Sequence, residues 1–397
     1  MTRDAGSCWS WPTASRAALA IALVIVAGAA PAARGAESPA RSAADIWGTA
    51  CAACHGADGA GMPNAVLGFD VPVPDLRDCM FATSEPTSDW FAVVHEGGLV
   101  RGLERLMPAF GTALAPEEIA GVIDYLRGFC RDLPDWPLGD LNLPRGLFTE
   151  KAFPENELVL TSVIALRGSG SVMNELVYER RLGSRSMIEV AVPFGFLDLP
   201  DSSSGSGNGN GMSGTGAAGW TGGIGDLGAA FKHAIVQSAR SGTIVALGLD
   251  VSIPTGRADR GLGAGVTVLG PFVACGQLLP AGGFVQAHAG ADLPTDFGAA
   301  NPEFFWRALL GWSLTPSRFG RMYSPMVEVL GTRELRGDDT AVIWDVAPQV
   351  QVTLNRRKHV RLDVGARVPV NRTSGRRAQL GMYLLWDWYE GGPLRGW

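Results

Sequence analysis

The sequence contains only three lysines among 397 residues, and after residue 30 it has no apolar run long enough for a membrane-spanning helix. Together with 53 glycines, this shortage indicates a turn-rich chain rather than a helical bundle. The net charge is −6, and no strongly basic stretch stands out. We therefore expect no nucleic acid partner.

The acidic residues are unevenly distributed along the chain. Residues 41–135 hold fourteen Asp and Glu, six Arg and no Lys, which gives this segment a net charge of −8 and leaves the remainder close to neutral. Opposite charges steer association between proteins. A partner of this segment is therefore expected to present a basic face.

The chain begins with a targeting segment. Arg3 and Arg16 precede the apolar run 17–30, and small residues follow as far as Ala36. A membrane-spanning helix needs ~20 apolar residues, which this run does not reach. The pattern predicts a signal peptide over residues 1–36 and an exported mature protein, with an uncleaved membrane anchor as the alternative.

The sequence CAACH at residues 51–55 carries the most specific chemistry in the chain. In a C-x-x-C-H motif the two cysteines attach c-type haem through thioether bonds, and the histidine binds the iron from one side. The motif predicts that Cys51 and Cys54 hold the porphyrin and that His55 is the proximal ligand; a redox CxxC pair is the alternative. Because the motif occurs once, we expect one covalently bound haem c.

Residues 42–132 resemble the class I cytochromes c. In that family one helix carries the CxxCH motif, and a last helix follows a loop whose Met-Pro pair supplies the sixth iron ligand. The matching segments here are ADIWGTACAACH, RLMPAFG and PEEIAGVIDYLRGFC. The resemblance implies an all-α domain over residues 37–132, with Met107 as the distal iron ligand. Three other residues remain alternatives for that position: Met62, Met80 and His95.

Two further cysteines of this domain, Cys79 and Cys130, lie in a compartment expected to be oxidising. They are predicted either to form a disulfide that ties the last helix to the middle of the domain or to remain two free thiols. After them, residues 133–154 contain four prolines and are predicted to be a linker.

From residue 155 to residue 397 the chain alternates between apolar and polar residues, which is typical of strands with two different faces. In AVIWDVAPQVQVTL, for example, Val342, Trp344 and Val346 alternate with polar residues such as Asp345. Each segment is long enough for the 9–11 residues with which a tilted strand crosses a bilayer. The twelve predicted strands are 156–167, 171–183, 186–198, 224–237, 242–254, 265–279, 282–294, 303–315, 324–335, 340–354, 358–371 and 377–389.

A soluble β-sandwich would show the same period, but two features favour a transmembrane barrel. The odd-numbered connections are mostly longer than the even-numbered ones, as expected if they are the external loops of a barrel whose first domain is periplasmic. Several tryptophans also lie near predicted strand ends, where aromatic girdles meet the membrane interfaces. These are Trp220, Trp306, Trp312, Trp386 and Trp388. The predicted fold class is thus α plus all-β, a small helical domain followed by a ~12-stranded antiparallel barrel.

The barrel sequence also resembles outer-membrane proteins grouped with the phenol meta-cleavage pathway, through GGIGDLGAAFKH (222–233) and VSIPTGRADRGLG (251–263). The layout of the whole chain resembles the fused cytochrome–porins of iron-oxidising bacteria, although here the cytochrome is full-sized and the barrel is small. A barrel of this size is too narrow to enclose a folded cytochrome. Small residues at inward positions, Gly290, Gly365 and Gly381, favour an open lumen.

These patterns predict an electron carrier rather than an enzyme, anchored in the bacterial outer membrane with its haem domain in the periplasm. It would exchange electrons with a basic periplasmic redox protein and with an extracellular donor or acceptor. The alternative is a channel for small apolar or aromatic solutes with a tethered redox domain. A peroxide-reducing enzyme would require Met107 to leave the iron. The remaining candidates, His233, His288, His359 and Cys275, show no ligand spacing and are expected to be structural.

Overall fold

The computed structural model describes residues 41–165, 170–199, 219–316, 319–336, 341–372 and 376–388. They form a small helical domain followed by a closed antiparallel β-barrel, which confirms the predicted fold class. The predicted signal peptide, residues 1–36, lies outside the described residues. Within the described part of the chain, no helix has the length and apolar character needed to cross a membrane.

The helical domain consists of short helices joined by turns. Its helices are α1 (Ala43–Ile46), a π-helical turn (Trp47–Cys51), α2 (Ala52–His55), α3 (Asn64–Leu67), α4 (Cys79–Ser84), α5 (Thr87–Glu96) and α6 (Pro116–Arg127). The first three follow one another without a break, so the CAACH sequence ends a helical segment that runs from residue 43 to residue 55. The domain also has 3-10 turns at Gly98–Arg101, between α5 and α6, and at Leu133–Asp135 and Gly139–Leu141, after α6.

The first and last helical segments pack against each other, as the cytochrome resemblance implies. Helix α6 has Pro116 in its first turn, and Ile119 and Ile123 on its inner face are fully buried. At the crossing, a Cβ on Gly121 would lie 3.8 Å from the Cβ of Ala43, so the two backbones approach closely. The apolar core of the domain therefore sits between these two segments.

Cys79 and Cys130 form a disulfide, with their Cα atoms 5.0 Å apart. It joins the start of α4 to the chain just after α6, which is the first of the two outcomes that the sequence left open. Both residues are buried with Ala82 in a small apolar cluster of their own. The last helix is thereby tied to the middle of the domain.

The barrel closes on itself because β1 pairs with both β2 and the last strand, β13. Its strands are β1 (Glu157–Ala165), β2 (Ser171–Leu182), β3 (Ser186–Leu199), β4 (Gly219–Ile224), β5 (Leu227–Ser238), β6 (Thr243–Ile253), β7 (Val268–Leu278), β8 (Gly283–Pro294), β9 (Glu303–Trp312), β10 (Tyr323–Glu334), β11 (Ile343–Thr353), β12 (Val360–Pro369) and β13 (Gln379–Asp387). Both β4 and β5 pair with β3, so they are two parts of one interrupted strand, and the barrel has twelve.

One strand boundary was predicted wrongly. The fourth strand was expected at 224–237, with residues 219–223 in the preceding loop, but β4 begins at Gly219. Its sequence, GWTGGI, is half glycine and offers almost no period-2 pattern. It is nevertheless paired along its length with β3, because the partner strand is long enough to reach it.

Side chains alternate across the barrel wall as the sequence predicts. On β12, Val364 and Val368 face outward and are about two-fifths exposed, whereas Arg361 and Asp363, at inward positions of the same strand, are buried. The same alternation gives every described strand an apolar outer surface. Outward aromatic residues lie near both ends of the barrel, Trp220, Trp306 and Trp344 at one end and Trp312 and Trp386 at the other. Trp388 differs from the prediction, since it is buried and stacks on Tyr178.

The two ends of the barrel differ in the length of their connections. One end has short turns such as 183–185 and 239–242, and the other has longer connections such as 254–267. The helical domain and the residues after it contact the short-turn end. There Lys358 Nζ lies 2.7 Å from Asp89 Oδ1, and Arg185 Nη2 lies 3.2 Å from Asp135 Oδ1.

The segment expected to be a linker is instead a plug inside the barrel. We call residues 143–155 the plug. Leu143 packs among inward residues of β8, β9 and β10, and Leu147 packs with inward residues of β1, β2 and β13. A Cβ on Gly365 would lie 2.8 Å from Leu147 Cδ1, and one on Gly381 would lie 3.0 Å from the same atom.

The sequence suggested that the inward glycines mark an open lumen, and the structure contradicts this. Gly365 and Gly381 make room for the side chain of Leu147, and Gly276 does the same for Leu143, whose Cδ1 would lie 2.9 Å from its Cβ. Gly290 does not face open space, because a Cβ there would meet the ring of Phe305, the carbonyl oxygen of Pro271 and the Cβ of Phe272. The small residues provide space for packing, as in any well-filled interior.

Candidate functional site

The CAACH sequence lies at the carboxyl end of the first helical segment, where the chain turns away at Gly56 with φ +77°. Spacings of three and four residues place Cys51, Cys54 and His55 on neighbouring positions of one helix face. Neither Cys51 nor Cys54 is in a disulfide; Cys51 is half-buried, and Cys54 is exposed. The two thiols are thus available on the same side of the helix as the imidazole.

His55 is held in an apolar setting. Its ring centroid lies 5.9 Å from that of Trp47, whose Nε1 donates a hydrogen bond to the Gly56 carbonyl oxygen at 3.2 Å. Trp47 in turn lies 5.1 Å from Phe129, beyond the last helix. Packing between the first and last helical segments therefore fixes the position of the ring that stands beside His55.

These residues fit a covalently bound haem. The Nδ1 atom of His55 is buried and has no hydrogen-bond partner among the described residues, which is unusual for a nitrogen without a ligand. Burial lowers the pKa of His55, so the imidazole stays neutral, the form that binds iron. Burial also raises the pKa of the Cys51 thiol. The donor set, two thiols and a neutral imidazole, is the one that haem c attachment requires.

Met107 lies in a loop that folds back on itself. Its carbonyl oxygen accepts a hydrogen bond from Gly98 N at 3.0 Å, and its own N–H donates to the Glu104 carbonyl oxygen at 3.3 Å. The side chain is half-buried and packs against the same apolar core that Cys51 contacts. Met107 and the attachment motif therefore border one core, and Met107 stays the predicted sixth ligand.

Two of the three competing ligands, His95 and Met80, have other side-chain neighbours. His95 Nδ1 lies 2.8 Å from Glu96 Oε1, and its ring is flanked by Phe91 and by Phe319 of the barrel, at 5.7 and 5.4 Å between centroids. Met80 points toward the barrel, where its sulfur lies 4.0 Å from Asn156 Nδ2. For Met62, the described contacts include a backbone hydrogen bond to the Cys54 carbonyl oxygen at 2.9 Å.

The lumen contains a second set of functional residues, which the sequence did not reveal. Arg145 of the plug lies 3.0 Å from Glu157 and 2.6 Å from Glu179, two fully buried carboxylates of the barrel wall. Lys151 pairs with Glu155 and lies 3.6 Å from Glu157. Since a buried charge without a partner is strongly destabilising, the wall and the plug each need the other.

Glu328, a fully buried residue of β10, binds the centre of the plug. Its carboxylate accepts hydrogen bonds from Leu147 N at 2.8 Å and from Phe148 N at 3.2 Å, and also from the Thr149 hydroxyl. Gln349 Oε1 accepts a further bond from Leu147 N at 3.0 Å. The plug has no regular secondary structure here, so the wall supplies the partners that its backbone would otherwise lack.

A cavity of about 300 Å³ remains between the plug and one side of the wall. Glu175, Glu189 and Asp250 line it, and among the described residues the side chains of these three form no hydrogen bond or ion pair. Of the basic groups that also line it, Arg145 and Lys232 are already paired with carboxylates, and Arg307 donates to the carbonyl oxygen of Phe148. The cavity is therefore acidic, which suits water or a cation better than an apolar solute.

The remaining candidates have structural surroundings. His288 is inside the barrel, where its ring stands edge-on to Phe272 and Phe305. His233 lies 2.8 Å from the Ser186 hydroxyl, and His359, at the end of the β11–β12 turn, lies 3.3 Å from Glu85. Cys275 is a half-buried thiol within β7.

Comparison with known proteins found one family model and several solved structures similar to parts of this chain. Residues 38–126 match the family model described as "Cytochrome C oxidase, cbb3-type, subunit III". An outer membrane channel from Pseudomonas putida F1 is 14% identical and covers 62% of this chain and 99% of its own, with a TM-score of 0.42. A KdgM porin is 7% identical and covers 58% of this chain and 98% of its own, with a TM-score of 0.35. No curated protein matches the chain.

Proposed function

From a cytochrome c domain held at the mouth of a closed and plugged barrel, we propose a monohaem c-type cytochrome that is anchored in the outer membrane and carries electrons in the periplasm. The observation that carries this proposal is the CAACH helix in a domain that forms ion pairs with one end of the barrel. Haem c, held by Cys51 and Cys54, supplies reversible one-electron chemistry.

The outer surface of the barrel supports the membrane location. Outward residues such as Leu160, Val190 and Leu384 are two-fifths or more exposed, a pattern that costs free energy in water and suits lipid. Aromatic residues near both barrel ends correspond to the two interfaces of a bilayer. Outer-membrane lipid is therefore one partner of this protein.

The orientation follows from the connection lengths. Barrels of this kind turn back through short connections on the periplasmic side and through longer ones outside the cell. Because the helical domain contacts the short-turn end through Asp89 and Asp135, it belongs in the periplasm. Its net charge of −8 over residues 41–135 then favours a basic periplasmic redox protein as the partner.

The plug favours electron transfer within the periplasm over electron transfer across the membrane. The apolar band of such a barrel is ~25 Å tall, too long for one haem at its periplasmic mouth to bridge. Arg145 and Glu150 fill the lumen with ion-paired side chains that carry no redox chemistry. We therefore propose a periplasmic electron carrier with a barrel anchor; exchange with an extracellular donor or acceptor would need a second carrier.

A solute channel is the other proposal that the fold admits. It would require the plug to leave the lumen, and the buried pairs of Glu328 and Glu179 with the plug oppose this. The acidic cavity beside the plug also offers little to an apolar or aromatic solute. The plugged lumen thus favours the anchor over the channel.

Intact cells that express the protein provide the test. The haem is reduced, a membrane-impermeant oxidant is added outside, and the α-band is followed, with lysed cells as the control. We expect oxidation only after lysis. Rapid oxidation in intact cells, prevented when the external loops are blocked, would contradict the anchor and support a conduit through the barrel.

A further inference from the structure

The barrel contacts the helical domain at one particular place, the loop that carries Met107. Asp89 in α5 is buried, and its Oδ1 accepts from Arg101 Nη2 at 2.6 Å and from Lys358 Nζ at 2.7 Å. Arg101 belongs to the loop, whereas Lys358 belongs to the β11–β12 turn of the barrel. One carboxylate therefore joins the loop to the barrel.

Two further contacts act on the same part of the loop. Arg101 Nη1 donates to the carbonyl oxygen of Phe319 at 2.9 Å, and Arg357 Nη2 donates to the carbonyl oxygen of Gly102 at 3.4 Å. Phe319 lies before β10 and Arg357 lies beside Lys358, so both come from the same end of the barrel. We call Phe319, Arg357 and Lys358 the rim clamp.

The loop transmits this contact to Met107. Gly98 N donates to the Met107 carbonyl oxygen at 3.0 Å, and Leu103 N donates to the Gly98 carbonyl oxygen at 2.9 Å. Residues 98–107 thus form a closed loop with Arg101 on one side and Met107 at its end. A shift of Arg101 must change the path of the backbone that sets the Met107 side chain.

Lys358 shows that the clamp is held in a demanding conformation. It is one of three described residues other than glycine with positive φ, at +62°, and its N–H donates to the Asn355 carbonyl oxygen at 3.2 Å. A lysine in the left-handed region is uncommon and persists where its surroundings require it. From this conformation its ammonium group reaches the buried Asp89.

We propose that Lys358 is a positioning residue for the sixth iron ligand: through Asp89 and Arg101, the barrel holds the loop in the conformation that keeps Met107 on the iron. This inference rests on the proposed haem site and adds to it a role for the barrel beyond anchoring.

The test uses the purified full-length protein in detergent with its haem attached. In Lys358→Met the ammonium group is lost and the aliphatic length is kept. Exogenous imidazole competes with Met107 for the iron, so a weakened Met–iron bond raises the apparent affinity for imidazole in proportion. Since a hydrogen bond to a charged group contributes ~1.5–3 kcal/mol, we expect imidazole to bind about tenfold more tightly or more, with a weaker Met–iron(III) charge-transfer band.

Arg185→Met is the matched control, because it removes another ion pair between the barrel and the residues after the helical domain, at Asp135, far along the chain from the Met107 loop. Arg185→Met should leave the imidazole affinity unchanged. Lys358→Arg keeps the positive charge, so its imidazole affinity should stay close to that of the unaltered protein. Arg357→Met, which loses one bond to the loop, should shift affinity in the same direction by less, and it substitutes for Lys358→Met if that variant does not fold.

Unchanged imidazole affinity in Lys358→Met, or an equal change in Arg185→Met, would overturn the inference while leaving the haem site intact. Absence of the Met–iron band from the unaltered protein would overturn the assignment of Met107, and the positioning role would fall with it. The two failures are therefore distinguished by the spectrum of the unaltered protein.

Discussion

Lys232 Nζ, on the barrel wall, lies 2.6 Å from Glu150 Oε1, in the plug, and also donates to the carbonyl oxygen of Lys151 at 2.7 Å. Lys232 is almost fully buried. A lysine in this position loses its hydration, so the carboxylate and the carbonyl must replace it. The pair therefore makes the lumen of the barrel and the segment inside it a single charged network.

Each of the three lysines in the chain likewise binds a carboxylate. Lys151 is in the plug and lies 3.6 Å from Glu157 of β1, Lys232 of the wall binds Glu150 of the plug, and Lys358 of the barrel binds Asp89 of the helical domain. None of them serves as a solvated surface charge. Each of the three lysines lies where two segments meet, so these few residues join the helical domain, the plug and the barrel wall.

Removing the charge of Lys232 should destabilise the barrel. In Lys232→Met, Glu150 remains in the lumen without its closest partner, and breaking a buried pair in this way costs about 3–5 kcal/mol. Unfolding in urea, followed by tryptophan fluorescence in detergent, measures the change.

Arg257→Met is the control for this prediction, because Arg257 and Asp259 are also 2.6 Å apart but exposed. That variant should unfold like the unaltered protein, since exposed pairs contribute little. Equal effects of the two substitutions would show that Glu150 is solvated and that the lumen is not closed around it.

The position of the plug can be tested through a single glycine. Three atoms would contact a Cβ on Gly381, and all three belong to Leu147, the nearest at 3.0 Å. Gly381→Ala should therefore destabilise the barrel by about 1 kcal/mol through overpacking. In a Leu147→Ala background the same substitution should cost nothing, because the obstructing side chain is absent.

A double-mutant cycle of urea unfolding curves measures this coupling. Additive effects of Gly381→Ala and Leu147→Ala would place Leu147 away from β13. Gly248→Ala is a matched control, since its Cβ would meet the ring of Phe272 and not the plug; its cost should be the same with or without Leu147.

The sequence predicted the parts of this fold that repeat and missed the part that does not. All twelve strands were recognisable, although the start of the fourth was misplaced, because their period of two extends over ten or so residues. The plug has no period: its prolines suggested a linker, and the partners of Arg145 and Glu150 lie on strands 34 and 82 residues away. Such long-range pairing leaves no local signal. The sequence features that could have indicated the plug were the charged residues in the Pro-rich segment and the charged residues at inward strand positions.

The haem-attachment residues can be separated from Cys275, the other free cysteine among the described residues. Replacing both Cys51 and Cys54 by Ser should abolish covalent haem, because each forms one thioether bond to the porphyrin. A haem stain on a denaturing gel measures it. Cys275→Ser, in β7, should keep the full signal. A persistent stain in the double variant would contradict the assignment of the CAACH motif.

The sixth ligand can be tested among the methionines of the helical domain. Met107 and Met80 differ in their surroundings: the first borders the core that Cys51 contacts, and the second faces Asn156 of the barrel. In Met107→Ala the iron should lose its thioether ligand, so the Met–iron(III) band should disappear and the reduction potential should fall, because methionine ligation raises it. Met80→Ala should leave the band and the potential unchanged.

If instead Met80→Ala removes the band, the ligand comes from α4 and the helical domain must turn its haem toward the barrel. If neither substitution affects the band, Met62 becomes the candidate, and Met62→Ala should then remove it.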